Sequence, residues 1–208
     1  MFFGFNKEKQ PNRQAALRCY EESEQLGCIK AQMALAAIYE KGLVNNEMER
    51  GGSQSFGALQ KNCAEPETDK AFEYYNDAAE NESYALYKLG QFVENGVYDG
   101  KPNKTFAFSF YYKACQRERT YREALQKFGE YYQYGIYVDK NVKTAQRKME
   151  ESAADGSLLG MNALGSMFYN EHNNFHQAAE WFKKASDKGL TRAINNLGTC
   201  YEFGHGVK

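Results

Sequence analysis

Proline is scarce in this 208-residue chain, three in all, and Pro66 and Pro102 stand between periodic segments rather than inside them. Helices can therefore run uninterrupted. An excess of one charge is also lacking. Lys and Arg total 26 against 27 Asp and Glu, so there is no unopposed positive field to displace counterions from phosphates, and a nucleic-acid partner is not expected. No run approaches the roughly 18 apolar residues of a membrane span. The start, MFFGFNKEKQPNRQ, turns polar after five residues, short of the roughly 7 to 15 apolar residues of a secretory signal. The five cysteines, Cys19, Cys28, Cys63, Cys115 and Cys200, are odd in number and never form a CxxC pair. Neither a disulfide framework nor a zinc site is implied. A cytoplasmic location is expected, with an organelle matrix, such as the mitochondrial one, as the alternative.

Motifs for chemistry are missing too. His172 and His176 are four apart, but Asn173 and Asn174 between them mark a turn, so no metal site is expected. No Ser-His-Asp set, phosphate-cradling glycine loop or HExxH occurs, which leaves no candidate catalytic residue and no expected cofactor. Asn81-Glu82-Ser83 and Asn103-Lys104-Thr105 match the glycosylation acceptor, yet each stands at a helix start, where Asn, Ser and Thr cap free backbone amides.

What the chain does have is internal repetition. Five segments align on an alanine, at Ala16, Ala71, Ala107, Ala145 and Ala178, with bulky side chains three and four residues later. The pairs are Cys19 and Tyr20, Tyr74 and Tyr75, Phe110 and Tyr111, Lys148 and Met149, and Trp181 and Phe182. A small residue seven positions on completes one helical face: Ser23, Ala78, Ala114, Ser152 or Ala185. A second helix follows each first one: AQMALAAIYEKG (31–42), ALYKLGQFVENG (85–96), ALQKFGEYYQYG (124–135), GMNALGSMFYNE (160–171) and AINNLGTCYEFG (193–204). Their sixth position is Ala36, Gly90, Gly129, Gly165 or Gly198. Glycine inside a helix costs about 1 kcal/mol relative to alanine, so its recurrence predicts a close approach of the paired helix. Repeat four carries Glu171 in place of the closing glycine, which predicts a differently built turn.

These residues resemble the Sel-one-like repeat family, relatives of the tetratricopeptide repeats. The clearest copies are AAEWFKKASDKG and AINNLGTCYEFGHGV, and the resemblance covers about residues 14 to 207. It implies an all-α fold, a right-handed αα-superhelix or solenoid of five helix-turn-helix repeats with about ten helices. The expected domains are an N-terminal arm (1–13) and a solenoid (14–208) with repeats near 14–44, 69–98, 105–138, 143–171 and 176–207. The longer first spacing places an inserted loop at 45–68. The family further implies a non-catalytic scaffold or adaptor for protein–protein interaction. The alternatives are a built-in accessory subunit of a large, organellar or membrane-associated assembly, or a small-molecule hydrolase like that proposed for the cysteine-rich bacterial branch. Cys115 lacks the paired cysteine of that branch.

Other proteins or peptide segments are thus the expected partners. Of 30 Phe and Tyr residues, 18 fall between Phe72 and Tyr137. Tyr84, Tyr98, Phe108, Tyr112, Tyr121, Tyr134 and Tyr137 are off the repeated core register and are the candidate contact residues, because aromatic side chains bury much area at little rotamer cost. In the last helix, Ile194, Leu197 and Tyr201 occupy positions that a following repeat would cover. A partner or a further repeat is expected on that edge.

Overall fold

The computed structural model describes residues 13–42 and 66–207. The expected N-terminal arm and nearly all of the 45–68 insertion, Cys63 included, lie outside the described residues. Among those described there are ten helices and no strand: α1 (Arg13–Gln25), α2 (Ile29–Glu40), α3 (Thr68–Ala78), α4 (Ser83–Glu94), α5 (Lys104–Cys115), α6 (Arg122–Tyr134), α7 (Val142–Ala154), α8 (Leu158–Asn170), α9 (Phe175–Ser186) and α10 (Thr191–Phe203). They divide between Asn81 and Glu82 into two compact units, α1–α3 and α4–α10.

Asparagine sets the start of three first helices. The side-chain oxygens of Asn103, Asn141 and Asn174 accept the amides of Phe106, Thr144 and Gln177 at 2.9, 3.0 and 3.2 Å. Each such cap is worth about 1 kcal/mol. The same three residues donate their own backbone N–H to the ninth residue of the preceding second helix: Asn103 to the Val93 carbonyl (2.9 Å), Asn141 to Tyr132 (2.8 Å) and Asn174 to Phe168 (2.8 Å). In the first unit Glu67 donates to Tyr39 in the same way, at 3.1 Å. One residue thus begins a helix and fastens it to the previous one. Asn81 departs from expectation. Residue 82 holds the cap position of α4 without a side-chain bond, and the Ser83 hydroxyl donates instead to the Arg119 carbonyl.

The repeated alanine face is the core. Ala71, Tyr75 and Ala78 of α3 are buried, as are Ala107, Tyr111 and Ala114 of α5, Ala145, Met149 and Ser152 of α7, and Ala178, Phe182 and Ala185 of α9. Lys148, which breaks the apolar pattern, is part-buried and pairs with Glu151 at 2.7 Å. The turn after α8 is differently built, as Glu171 implies. The second helices ending at Gly42, Gly96, Gly135 and Gly204 enter the left-handed region there, whereas repeat four does so two residues later, at Asn173 with φ 50°.

Gly90, Gly129 and Gly165 do mark close approaches, but the partner differs from the expected one, and a methyl carbon on Gly198 would meet nothing within 4 Å. A methyl carbon on Gly90 would stand 2.5 Å from the Tyr111 ring, and one on Gly165 would stand 2.6 Å from the Phe182 ring and 3.2 Å from the Ala178 carbonyl. On Gly129 it would meet the Ala145 carbonyl at 3.1 Å and Met149 at 3.2 Å. Each neighbour belongs to the first helix of the following repeat, not to the helix paired within the repeat. Side-chain direction explains the difference: the sixth position lies on the face that carries the ninth-position carbonyl, and so on the side where the next helix is tied. Close contact within a repeat occurs at Gly160, where a methyl carbon would come 2.9 Å from Ser152 Cβ. Gly165→Leu is expected to destabilise by about 1 to 3 kcal/mol through overpacking against Phe182; a thermal melt unchanged by the substitution would contradict this packing.

Candidate interaction surface

The second helices α4, α6, α8 and α10 present a polar face that is largely bonded within the molecule. Gln91 Nε2 donates to Tyr87 Oη at 2.8 Å, and Asn196 Nδ2 donates to Asn162 Oδ1 at 2.9 Å. Glu94 accepts from the Tyr111 hydroxyl at 2.8 Å and pairs with Lys127 at 3.2 Å, while Lys127 also reaches Glu130 at 3.3 Å. Gln126 donates to Glu130. The hydroxyl–carboxylate bond recurs in the first unit, from Tyr75 to Glu40 at 2.8 Å. It cannot form at the equivalent place on α6 and α7, where the pair is Gln133 and Met149, and the Gln133 amide nitrogen is left buried without a partner.

Burial drives the electrostatics of this face. It pushes the Glu130 carboxyl up, opposed by the Lys127 ammonium and reinforced by Glu94. Lys127 is pulled down by burial, and the Glu130 and Glu94 carboxylates reverse this, leaving it raised. Burial lifts Tyr87 to about 12, with Glu123 and Glu130 adding to the effect. An acid whose folded value is raised loses stability as pH climbs from the ordinary glutamate value of about 4.3 through the raised one. Glu130→Gln is therefore expected to raise the melting temperature at pH 7 and to have little effect near pH 4. Equal shifts at both pH values, or destabilisation at pH 7, would contradict the assignment.

The sequence-selected aromatics separate into two groups. Tyr84 and Tyr121 are half-buried and pack edge-on at 5.0 Å, each beside Tyr87. Phe108 is also half-buried, with the rings of Phe128 (5.4 Å), Tyr131 (5.6 Å), Tyr137 (5.5 Å) and Tyr112 (6.4 Å) around it. These three fill space between repeats. Tyr98, Tyr112, Tyr134 and Tyr137 are exposed, and the structure gathers only some of them. Tyr112 and Tyr137 line one open groove with Asn103, Thr105, Phe106, Phe108 and Ser109. Tyr134 stands apart, near Glu130 and Glu171. Tyr137, 64% exposed, holds a left-handed backbone (φ 65°), uncommon for a residue with a side chain. Phe106 was not singled out from the sequence. Thr105, Phe108, Ser109 and Tyr112 recur at i, i+3, i+4 and i+7, a second stripe opposite the alanine face, but Phe106 lies outside that stripe and packs beside Phe110. On α10, Ile194 and Tyr201 are exposed and Leu197 is half-buried.

A second depression is lined by Cys115, Arg119, Thr120, Lys148, Glu151 and Asp155 among others. Burial pushes Cys115 up to about 12, so it stays protonated and weakly nucleophilic. His172 and His176 lie on opposite sides of the α8–α9 turn. His176 pairs with Glu180 at 3.4 Å, and His172 lies against Phe168. Among the described residues no cluster of His, Cys, Asp and Glu is arranged to hold a metal.

Ten helices and no strand among the described residues, with side-chain-free contact positions between successive repeats, define an all-α repeat solenoid. The chain belongs to the Sel1-repeat family, whose model matches residues 1–28, 29–51, 61–83, 83–118, 123–157, 158–190 and 191–208. The longer matches each join a second helix to the first helix that follows, the pairing tied together by the Asn amides and the glycines. Proteins built from these repeats typically mediate protein–protein interactions and are generally non-catalytic. Similar solved structures include a protective antigen of uropathogenic Escherichia coli with an SLR fold (23% identity, TM-score 0.70, covering 93% of this chain and 38% of that one). A Sel1 repeat protein from Oxalobacter formigenes is similar at 21% identity and TM-score 0.69, covering 92% and 71% of the two chains. An immunity protein from Pseudomonas aeruginosa follows at 20% and 0.54, covering 86% and 59%. At these identities the likeness is one of fold. No curated protein sequence matches this chain.

Proposed function

We propose that this protein is a non-catalytic scaffold that holds a segment of another protein in the groove on α5. The observation that carries the proposal is one open groove lined by three exposed rings, Phe106, Tyr112 and Tyr137, the last two packed against Phe108, with Asn103, Thr105 and Ser109 beside them. An apolar floor with a few placed polar groups is how such sites fix orientation as well as affinity, and aromatic anchors of this kind dominate interface energetics. A reducing, cytoplasmic setting fits Cys19, Cys28, Cys115 and Cys200, which are free among the described residues. The finer alternative, a permanently incorporated accessory subunit, draws on the exposed apolar side chains of α10.

Selection of peptides from a displayed library, followed by calorimetry on the best binder, tests the groove. Tyr112→Ala with Tyr137→Ala should weaken binding by at least about tenfold, or 1.4 kcal/mol, and Tyr134→Ala should leave it unchanged. Equal losses at Tyr134 and in the groove, or none at either, would rule the groove out.

A further inference from the structure

The groove on α5 is aromatic and uncharged, and its hydroxyls are unspent. None of the residues lining it is Asp, Glu, Lys or Arg, although these make up 25% of the chain. Asn103 Oδ1 is committed to the Phe106 amide and Ser109 Oγ to the Phe106 carbonyl. The hydroxyls of Thr105, Tyr112 and Tyr137, by contrast, have no hydrogen-bond partner among the described residues. A segment that covers them must offer acceptors, because a donor shut away unpaired costs more than a hydrogen bond contributes.

That requirement separates the common ways in which a peptide is held. A bound helix has spent its carbonyls on its own amides, except in its last turn. An added strand needs a sheet edge, and no strand occurs among the described residues. Acidic, basic or phosphorylated motifs need charge in the lining. A polyproline II segment has no internal hydrogen bonds, so its carbonyls are free, and its proline rings suit aromatic walls. The dimensions agree. Thr105 to Tyr112 spans about 10 Å of helix, against about 9 Å for one turn of polyproline II.

Tyr137 adds an independent sign that the groove is built for a ligand. Its left-handed backbone, φ 65°, is costly for a large side chain and is the kind of strain kept at ligand clamps. It sets the Tyr137 ring 5.5 Å from Phe108, which the Tyr112 ring approaches to 6.4 Å. Two exposed rings thus stand beside a half-buried one.

We infer that the occupant of this groove is a proline-rich segment in the polyproline II conformation. Its proline rings stack on Phe108, Tyr112 and Tyr137, and its carbonyls accept from the Thr105, Tyr112 and Tyr137 hydroxyls. The inference rests on the function proposed for the groove and adds the class of segment held there.

Proton–nitrogen NMR spectra of the 208-residue protein, titrated with an acetylated and amidated proline decamer to about 5 mM, test it. Saturable shifts are expected at the amides of Thr105, Phe108, Tyr112 and Tyr137, and none from a Gly-Ser peptide of the same length. Tyr112→Ala should weaken binding by at least about tenfold. Tyr112→Phe, which keeps the ring and removes the hydroxyl, should weaken it by about threefold or more. Tyr137→Gly should raise the melting temperature by relieving the left-handed backbone, yet weaken binding as Tyr112→Ala does. Tyr134→Ala should leave binding unchanged. The inference is overturned by the absence of saturable shifts, by shifts centred outside the groove, or by a Gly-Ser peptide that binds as well as the proline decamer. If the decamer fails while a library-selected peptide still occupies the groove, the class of occupant is wrong and the groove stands. If neither occupies it, the groove falls as well.

Discussion

The first helices α5, α7 and α9 are each held where the second helix before them has no side chain. A glycine in a helix interior costs about 1 kcal/mol against alanine, and at Gly90 and Gly165 the vacated space is filled by an aromatic ring whose burial is worth about 1.5 to 3 kcal/mol. The exchange is favourable only if the ring arrives in one register. The N-cap residue supplies that register: the backbone N–H of Asn103, Asn141 or Asn174 reaches a fixed carbonyl on the previous helix, and the anchor alanine and its ring follow at set intervals. Capping, pairing and packing are therefore a single constraint. The structural unit is the junction between successive repeats.

Variation on that unit shows which parts of it can be exchanged. Tyr111 fills the space beside Gly90 and its hydroxyl meets Glu94. Met149 fills less of the space beside Gly129, and the neighbouring Gln133 amide is orphaned. Phe182 beside Gly165 needs no acceptor, and Tyr169, in the acceptor's position, bonds His205 Nδ1 at 2.6 Å instead. The ring or chain under the glycine is needed in each case, while the polar bond at its tip is optional. With the inner faces committed in this way, Phe106, Tyr112 and Tyr137 remain exposed on the outside of a first helix and its turns, and the proposed groove rests on them.

Much of this was legible in the sequence because the repeat is written in residues of strong physical meaning. Alanine and glycine at fixed spacing gave the helices and the close contacts, and Glu171 in place of glycine marked the one turn that is built differently. The identity of the contacting helix was less legible. Periodicity reports which positions share a face and not which neighbour the face meets, so Gly165 was assigned to its own repeat although Phe182 of the next one covers it. The aromatics were harder still. Tyr84, Phe108 and Tyr121 look surplus when counted against the repeat pattern, but they pack between repeats. Phe106, one residue before an anchor, reads as a helix start and lies in the groove.

Amide hydrogen exchange resolved to single residues tests the junction most directly. The account predicts that the backbone amides of Asn103, Asn141 and Asn174, in turns between helices, exchange as slowly as the interior amides of the helices they tie together. Exchange at the rate of an open turn such as Gly100 would contradict it, and would return the role of structural unit to the helix pair within each repeat.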